Sequence, residues 1–200
     1  DVMDAHMSGL EERLAAGEDI SGVASVASFF VSRLDTLVDA RLDELAETDP
    51  GAAELMGFTA IANARLAYTL FHETIGSRRW AALQAAGARV QRPLWASTST
   101  KNPRYRDVLY VEALIGVDTV NTMPPHTLQA FKQHGHAEET ITAGTDAARA
   151  HMARLADLDI DMDAVTDKLE ADGVSAFAQS FERLLEVIEQ RSRTLRPERA

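Results

Sequence analysis

The sequence predicts an α/β protein with a small parallel sheet that forms part of a larger barrel or sheet. Three short apolar stretches with the character of strands alternate with amphipathic stretches, and only helical patterns follow the third strand. Repeated strand–helix units are typical of parallel sheets, in which each helix crosses over one face. Because three strands are few for an independent sheet covered on both faces, we expect the chain to complete a larger structure.

The first third of the chain predicts helices around one strand. Apolar residues recur at helical spacing over residues 1–16 and again over residues 32–46. Between them lies the uncharged run VASVASFFV, residues 23–31, which predicts a strand buried on both faces, as in parallel sheets. The turn TDPG then leads into a helix predicted over residues 53–75.

The rest of the chain predicts two more strands among helices. The second strand covers residues 88–96, although Pro93 lacks the N–H group that a strand ladder needs, and the third covers residues 117–123. The last residues, 191–200, are expected to be a frayed end. The predicted helices are residues 80–86, 105–115, 124–134, 143–157, 161–171 and 173–191.

Composition and charge exclude several classes of protein. The 200 residues, 46% of them hydrophobic, can bury one core, and the absence of cysteine excludes disulfides and thiolate metal sites. A formal net charge of -11 disfavours binding to nucleic acid, which requires a broad basic face. The apolar runs fall short of the roughly 20 residues of a membrane span, and no signal peptide is visible. We therefore expect a cytoplasmic protein that binds neither nucleic acid nor membranes.

The segment QRPLWASTSTKNP, residues 91–103, reverses the acidic character of the chain. Five basic residues and no Asp or Glu occur in the eighteen residues around it. These basic residues are Arg89, Arg92, Lys101, Arg104 and Arg106. Such a local reversal of charge, beside an apolar strand that ends in hydroxyl groups, favours the binding of a small anion.

Candidate site residues follow from the rule that the working groups of strand–helix folds lie after the C-terminal ends of strands. The rule selects Ser28, Phe30 and Arg33 after the first strand, Ser97, Thr98, Ser99, Thr100, Lys101 and Asn102 after the second, and Asn121 and Thr122 after the third. Arginine, lysine and hydroxyl groups together suit phosphate. The alternative is that Arg33 pairs with Asp35 or Glu44 on a helix surface and that the hydroxyl groups cap helices.

Three segments resemble the transaldolase family, in its longer actinobacterial form. They are SVASFFVSRLD, QRPLWASTSTKNPRYRDVLYVEALIG and DTVNTMPPHTLQAF, and the closing DKLEADGVSAFAQSFERLLEVIE resembles the C-terminal helices of that family. The resemblance implies a (β/α)8 TIM barrel, of which residues 1–200 form a single segment with strands six to eight and the terminal helices. This is the C-terminal half of the barrel.

The resemblance also implies an activity. Transaldolases belong to the pentose phosphate pathway and transfer a dihydroxyacetone unit through a Schiff base on a lysine, without a metal or organic cofactor. The implied substrates are fructose 6-phosphate, sedoheptulose 7-phosphate, erythrose 4-phosphate and glyceraldehyde 3-phosphate.

The resemblance assigns a phosphate site to four residues of this chain. Ser28 and Arg33 match the serine and arginine that follow the sixth strand, and Phe30 matches an aromatic residue of the active-site wall. Ser97 and Lys101 take the places of the serine and arginine that follow the seventh strand, in a longer loop and with lysine for arginine.

No catalytic residue is expected in this chain. The lysine motif of the family, of the Ile-Lys-Ile-Pro-Ala-Thr type, is absent, as are the acidic groups of its first strands. The missing N-terminal half of the barrel is therefore the expected partner, and the chain alone is expected to be inactive. Lys101 is interpreted as a phosphate ligand; the alternative is that it is the nucleophile, which would require a lowered pKa.

Two other functions remain open at this point. One is a non-catalytic module that binds phosphosugars or mediates interactions and derives from the same barrel. The other is a different phosphosugar enzyme with a (β/α)8 barrel, such as an aldolase.

Overall fold

A three-stranded parallel sheet is the centre of the protein in a computed structural model, which describes residues 1–195. The strands are β1 (Val26–Phe30), β2 (Arg92–Ala96) and β3 (Val120–Asn121), arranged in the order β1-β2-β3. Helical connections join the consecutive strands, as the alternating pattern predicts. The predicted α/β class with a small parallel sheet is therefore confirmed.

Eight α-helices occur in the described part of the chain. They are α1 (Val2–Ala15), α2 (Ser32–Leu45), α3 (Thr59–Ile75), α4 (Arg78–Ala85), α5 (Leu109–Ala113), α6 (Pro125–His134), α7 (Thr145–Asp157) and α8 (Met162–Leu195), with a 3-10 helix over Pro50–Leu55. Residues 1–160 form one compact unit, and α8 belongs to a second unit. None of the helices within residues 1–195 has both the length and the apolar character needed to cross a membrane.

One face of the sheet packs against helices and the other face is open. On the packed face, the ring of Phe29 meets the edge of Trp95 at 5.7 Å between centroids, and Trp95 is 1% exposed. On the other face, Val26 and Phe30 are 40% and 46% exposed. The prediction that the first strand is buried on both faces is therefore wrong for the described residues, because no described segment covers the face that carries Val26 and Phe30.

Pro93 is tolerated in the middle strand because of the neighbouring strand that its backbone faces. The Arg92 N–H donates to Ser25 O on the β1 side, and Trp95 O accepts from Thr122 N–H on the β3 side. Since successive residues of a strand turn to opposite neighbours, Pro93 faces β3. The pairing between β2 and β3 begins only at Leu94, so the missing N–H leaves no ladder bond unmade.

The predicted helix over residues 53–75 is divided in two. A 3-10 helix covers Pro50–Leu55, and Asp49 caps it, since its carboxylate accepts from the Gly51 N–H at 2.9 Å. Gly57 follows with φ of +76°, a conformation that ends the helical path. The α-helix therefore starts only at Thr59.

Two other helix predictions differ from the structure. The helix predicted over residues 105–115 is reduced to α5, because the chain before Leu109 lies in a loop held by side chains. The two predicted helices 161–171 and 173–191 are one, α8, since a single glycine in a helix costs only about 1 kcal/mol. α8 continues past the predicted start of the frayed end, and residues 196–200 of that end lie outside the described residues.

α8 carries an exposed apolar stripe. The large exposed side chains of this stripe are Val174, Phe177, Phe181, Leu184, Leu185 and Ile188, each between 48% and 71% exposed. Their spacing of three and four residues is typical of one side of an amphipathic helix.

Candidate functional site

The C-terminal ends of β1 and β2 are joined to each other. The Val31 N–H donates to Ala96 O at 2.9 Å, and the Ser32 N–H donates to Ser97 O at 3.0 Å. The hydroxyl oxygens of Ser32 and Ser97 are also 3.0 Å apart, in hydrogen-bond contact. The beginning of α2 and the loop after β2, residues 97–108, therefore form one surface at this end of the sheet.

Ser97 has a backbone conformation that is unusual for a residue with a side chain. Its φ is +58°, in the left-handed region. The next residue, Thr98, is fully buried and donates its hydroxyl to Asn121 Oδ1 at 2.9 Å. Thr98 and Asn121, both selected from the sequence as candidates, therefore hold the loop against β3.

The side chains of Phe30 and Arg33 meet at the end of β1. The guanidinium carbon of Arg33 lies 5.3 Å from the centroid of the Phe30 ring, within the range of a cation–π contact. Ser28 lies two residues before Phe30, on the same open face of the strand. Ser28, Phe30 and Arg33 are all exposed, so a ligand on this side could reach all three.

Lys101 lies in the loop after β2, beyond the joined strand ends. Its ammonium group donates to Ser99 Oγ at 2.8 Å and lines a cleft of about 260 Å³ between α2 and the loop after β2. Arg104 also lines this cleft. The structure thus brings Ser97 next to Ser32 and Arg33 next to Phe30, but Lys101 is bonded within its own loop rather than to Ser28, Arg33 or Ser97.

The basic segment is divided between the two ends of the sheet. Arg89 and Arg92 line a cavity at the N-terminal end, with Ser25 and Val26. Arg106 forms an ion pair with Glu112 at 2.9 Å. Only part of the charge reversal seen in the sequence therefore contributes to the strand ends where Arg33 and Lys101 lie.

The alternative partners of Arg33 are occupied elsewhere. Glu44 pairs with Arg41 at 2.8 Å. Asp35 is 1% exposed and accepts from the Ala60 N–H and the Tyr110 hydroxyl, both at 2.7 Å. The interpretation of Arg33 as half of a surface ion pair with either residue is therefore wrong.

Two buried aspartates of α2 are the functional-site neighbours that the sequence reasoning missed. Asp35 and Asp39 are four residues apart on one face of the helix, and each accepts a hydrogen bond from a tyrosine of the loop after β2 or of α5. Their signal in the sequence is their position inside an apolar stripe, next to Leu34 and Val38. A carboxylate at such a position requires partners, because burial without hydrogen bonds is costly.

Burial changes the acidity of this cluster. It raises the pKa of Asp35 to about 6 from an ordinary value of 3.8, and the hydrogen bonds from Ala60 and Tyr110 offset part of that rise. The pKa of Tyr105 is raised, first by burial and then by its hydrogen bond to Asp39. Tyr105 is therefore a neutral phenol that donates to the carboxylate.

We expect the fold to lose stability as the pH rises from about 4 to about 6, because of Asp35. In this window the folded protein retains the Asp35 proton while the unfolded chain has released it, so the free energy of unfolding falls, by up to about 3 kcal/mol. Asp35→Asn removes this contribution. Urea unfolding of wild type and variant, in the natural full-length polypeptide, should show a stability difference that shifts in favour of the variant across this window. A difference that is constant with pH would contradict the assignment.

No group of three or more His, Cys, Asp or Glu side chains within residues 1–195 is arranged to hold a metal ion. The groups that follow the strands include hydroxyls, amides and the cations Arg33 and Lys101, all of which can donate to an oxyanion. Asp35, Asp39 and Asp43 of α2 also line the cleft that Lys101 lines.

Comparison with known proteins gives one consistent result. The family model described as transaldolase/fructose-6-phosphate aldolase matches residues 3–188. A transaldolase of Parafrankia sp. (strain EAN1pec) is 54% identical over 188 residues, which cover 94% of this chain and 50% of that protein. A transaldolase of Thermobifida fusca (strain YX) is 50% identical over 190 residues, 94% of this chain and 51% of that protein.

A more distant relative agrees. Transaldolase 2 of Nostoc sp. (strain PCC 7120) is 46% identical over 204 residues, 96% of this chain and 53% of that protein. The chain thus spans about half the length of the curated relatives it matches. The small parallel sheet with many helices fits part of a (β/α)8 barrel.

Proposed function

We propose that this chain, which belongs to the transaldolase/fructose-6-phosphate aldolase family, is the C-terminal half of a transaldolase and holds the phosphate group of the substrate. In this proposal residues 1–200 are a single segment that supplies strands six to eight of the barrel. The observation that carries it is the contact of 3.0 Å between Ser32 and Ser97. This contact joins the two chain segments on which Arg33 and Lys101 lie.

Each proposed ligand has a distinct role at the phosphate. Arg33 offers a planar fork of N–H donors, and Lys101 offers a compact charge. Ser28 and Ser97 donate hydroxyl hydrogens to the remaining oxygens, and Phe30 forms a wall beside the carbon chain of the sugar. Since the chain has a net charge of -11, these local cations are what allow it to attract an anionic substrate.

The bond-making groups of the reaction lie outside this chain in the proposed mechanism. A lysine of the other half attacks the ketose carbonyl, and the adduct loses water to form the Schiff base. Removal of a hydroxyl proton and cleavage of the carbon–carbon bond release an aldose phosphate and leave a dihydroxyacetone carbanion on the lysine. The carbanion adds to the aldehyde of the acceptor, the new alkoxide takes up a proton, and water hydrolyses the Schiff base to free the product and the lysine. Binding of the remote phosphate orients both sugars toward that lysine.

The proposed function implies the substrates and the cellular compartment of the full-length protein. The donors are fructose 6-phosphate and sedoheptulose 7-phosphate, and the acceptors are erythrose 4-phosphate and glyceraldehyde 3-phosphate. No metal or organic cofactor takes part, and the enzyme acts in the cytoplasm as part of the pentose phosphate pathway.

Borohydride trapping tests which half of the protein carries the Schiff-base lysine. With fructose 6-phosphate and borohydride, residues 1–200 alone should remain unmodified, because the chain lacks the Schiff-base lysine motif. The natural full-length polypeptide should acquire one reduced adduct, on a lysine outside residues 1–200. Peptide mass spectrometry locates the adduct, and a stable adduct on Lys101 would overturn the role given to that residue.

The length of the natural polypeptide provides the control. It should be about twice the length of this chain, as in the relatives. A native polypeptide of only this length would refute the enzyme proposal, since the lysine would then have no source.

A further inference from the structure

Two tyrosine–aspartate pairs tie the region after β2 to α2. The Tyr105 hydroxyl donates to Asp39 Oδ2 at 2.6 Å, and the Tyr110 hydroxyl donates to Asp35 Oδ2 at 2.7 Å. Asp35 and Asp39 are only 1% and 8% exposed. Both carboxylates are therefore largely buried, although all four residues line the cleft that Lys101 lines. A hydrogen bond to a buried carboxylate is strong.

The second oxygen of each aspartate holds a third segment of the chain. Asp39 Oδ1 accepts from the Gly57 N–H at 2.9 Å, and Asp35 Oδ1 accepts from the Ala60 N–H at 2.7 Å. The turn before α3 and the first turn of α3 are thus fixed to α2. Because both turns are part of the packed body of the unit, α2 cannot shift without breaking these bonds.

Gly57 allows Tyr105 to come close. Its φ is +76°, and a Cβ atom at this position would lie 2.8 Å from Tyr105 Cζ. Only glycine accommodates both the conformation and the contact without displacement of the ring. The backbone is therefore shaped around the side chain of Tyr105.

The bonds to α2 flank Lys101 along the chain. The Ser97–Ser32 contact lies before it, and the Tyr105–Asp39 bond lies after it. Between them the chain has no helix or strand, and its shape depends on local bonds such as that from the Arg104 N–H to Asn102 Oδ1. Lys101 is therefore carried by a loop whose two ends are attached to α2, the helix on which Arg33 lies.

Charged groups at these positions require an explanation beyond stability. Apolar residues of similar size can stabilise a packed interface as well as buried polar pairs do, so stability alone does not explain these pairs. A buried hydrogen bond does define an orientation, since its loss leaves a polar group unpaired. The pairs therefore suit a loop that has to present a ligand at a set position.

We propose that Asp39 and Tyr105, supported by Asp35 and Tyr110, are positioning residues that hold the Lys101 loop against α2, so that Lys101 and Arg33 bind the same phosphate group. This inference rests on the proposed function. None of the four residues touches the substrate in this scheme. They act through Lys101.

Tyr105→Phe tests the proposal in the natural full-length polypeptide. Loss of the hydroxyl releases the loop while the ring remains, so the KM for fructose 6-phosphate should rise about fivefold to tenfold and kcat should change less than twofold. The inhibition constant of inorganic phosphate, as a competitor, should rise by a similar factor. Both constants measure the binding of the phosphate group rather than the bond-making step.

Tyr68→Phe is the matched control. The Tyr68 hydroxyl donates to Val117 O at 2.9 Å, so this variant also loses one tyrosine hydrogen bond, but away from the loop. It should change the melting temperature without changing the KM or the inhibition constant of phosphate. Asp39→Asn, which retains an acceptor oxygen, should show a smaller rise in KM than Asp39→Ala, and provides a second measurement if Tyr105→Phe folds poorly.

The outcomes separate the inference from the proposed function. If wild type transfers dihydroxyacetone from fructose 6-phosphate and Tyr105→Phe alters KM and phosphate inhibition no more than Tyr68→Phe, the positioning role is refuted. The same holds if Asp39→Asn and Asp39→Ala have equal effects. If the wild-type polypeptide has no such activity and is not bound by phosphate, the proposed function itself fails.

Discussion

Replacing Arg33 and Lys101 together with alanine should lower kcat/KM for fructose 6-phosphate at least about a hundredfold in the natural full-length polypeptide. Each cation is expected to make charge-assisted hydrogen bonds to the phosphate, worth about 1.5–3 kcal/mol each, and every 1.4 kcal/mol is about tenfold in affinity. Most of the loss should appear in KM, because the proposed mechanism places the bond-making lysine outside this chain. Steady-state kinetics with fructose 6-phosphate and erythrose 4-phosphate measure it.

Arg41→Ala is the control for this prediction. Arg41 lies on the same helix as Arg33, and its ion pair with Glu44 is exposed and worth little. This variant should retain wild-type kinetics, which would show that the effect depends on the position of the charge rather than on net charge. A double variant with unchanged KM would refute the phosphate site.

The isolated chain 1–200 should fail to unfold as a cooperative monomer. In the described residues β1 and β3 each pair with β2 alone, so each leaves one edge of backbone donors and acceptors open. Val26 and Phe30 are 40% and 46% exposed on the open face. An apolar side chain of this size gains about 1.5–3 kcal/mol from full burial, which is a large fraction of the usual 5–15 kcal/mol of stability.

Thermal unfolding followed by circular dichroism, with size-exclusion chromatography, measures this. The isolated chain should show a broad transition or associate, and addition of the complementary half should restore one sharp transition in a 1:1 complex. A sharp, reversible transition of a monomeric isolated chain would contradict the prediction. It would also remove the physical reason for expecting a second half of the barrel.

The local patterns of the sequence predict the type and order of the secondary-structure elements better than their boundaries. The apolar residues at helical spacing over residues 32–46 and the alternation of strands and helices predict the right order of elements. The limits differ where a side chain or a backbone conformation intervenes. Gly57 divides the helix predicted over residues 53–75, and Gly173 leaves α8 unbroken, because the first has a positive φ and the second lies in open space along the helix.

The sequence predicts which residues form the candidate site, but not the contacts between them. The basic, hydroxyl-rich segment and the resemblance select Ser28, Arg33, Ser97 and Lys101, whose roles as phosphate ligands remain predictions. The contact of Ser97 with Ser32 could not be predicted, since the two residues are 65 positions apart and have no pattern in common.

The sequence by itself determined the fold class, the family and the excess of positive charge around Lys101, because these depend on periodicity, motifs and composition. Only the tertiary structure decided that Asp35 and Asp39 are buried, that tyrosines of the next segment bind them, and that Arg89 and Arg92 lie at the other end of the sheet. The reason is physical. Hydrogen bonds and desolvation depend on which distant segments of the chain come into contact, and the order of the parallel strands determines which segments these are.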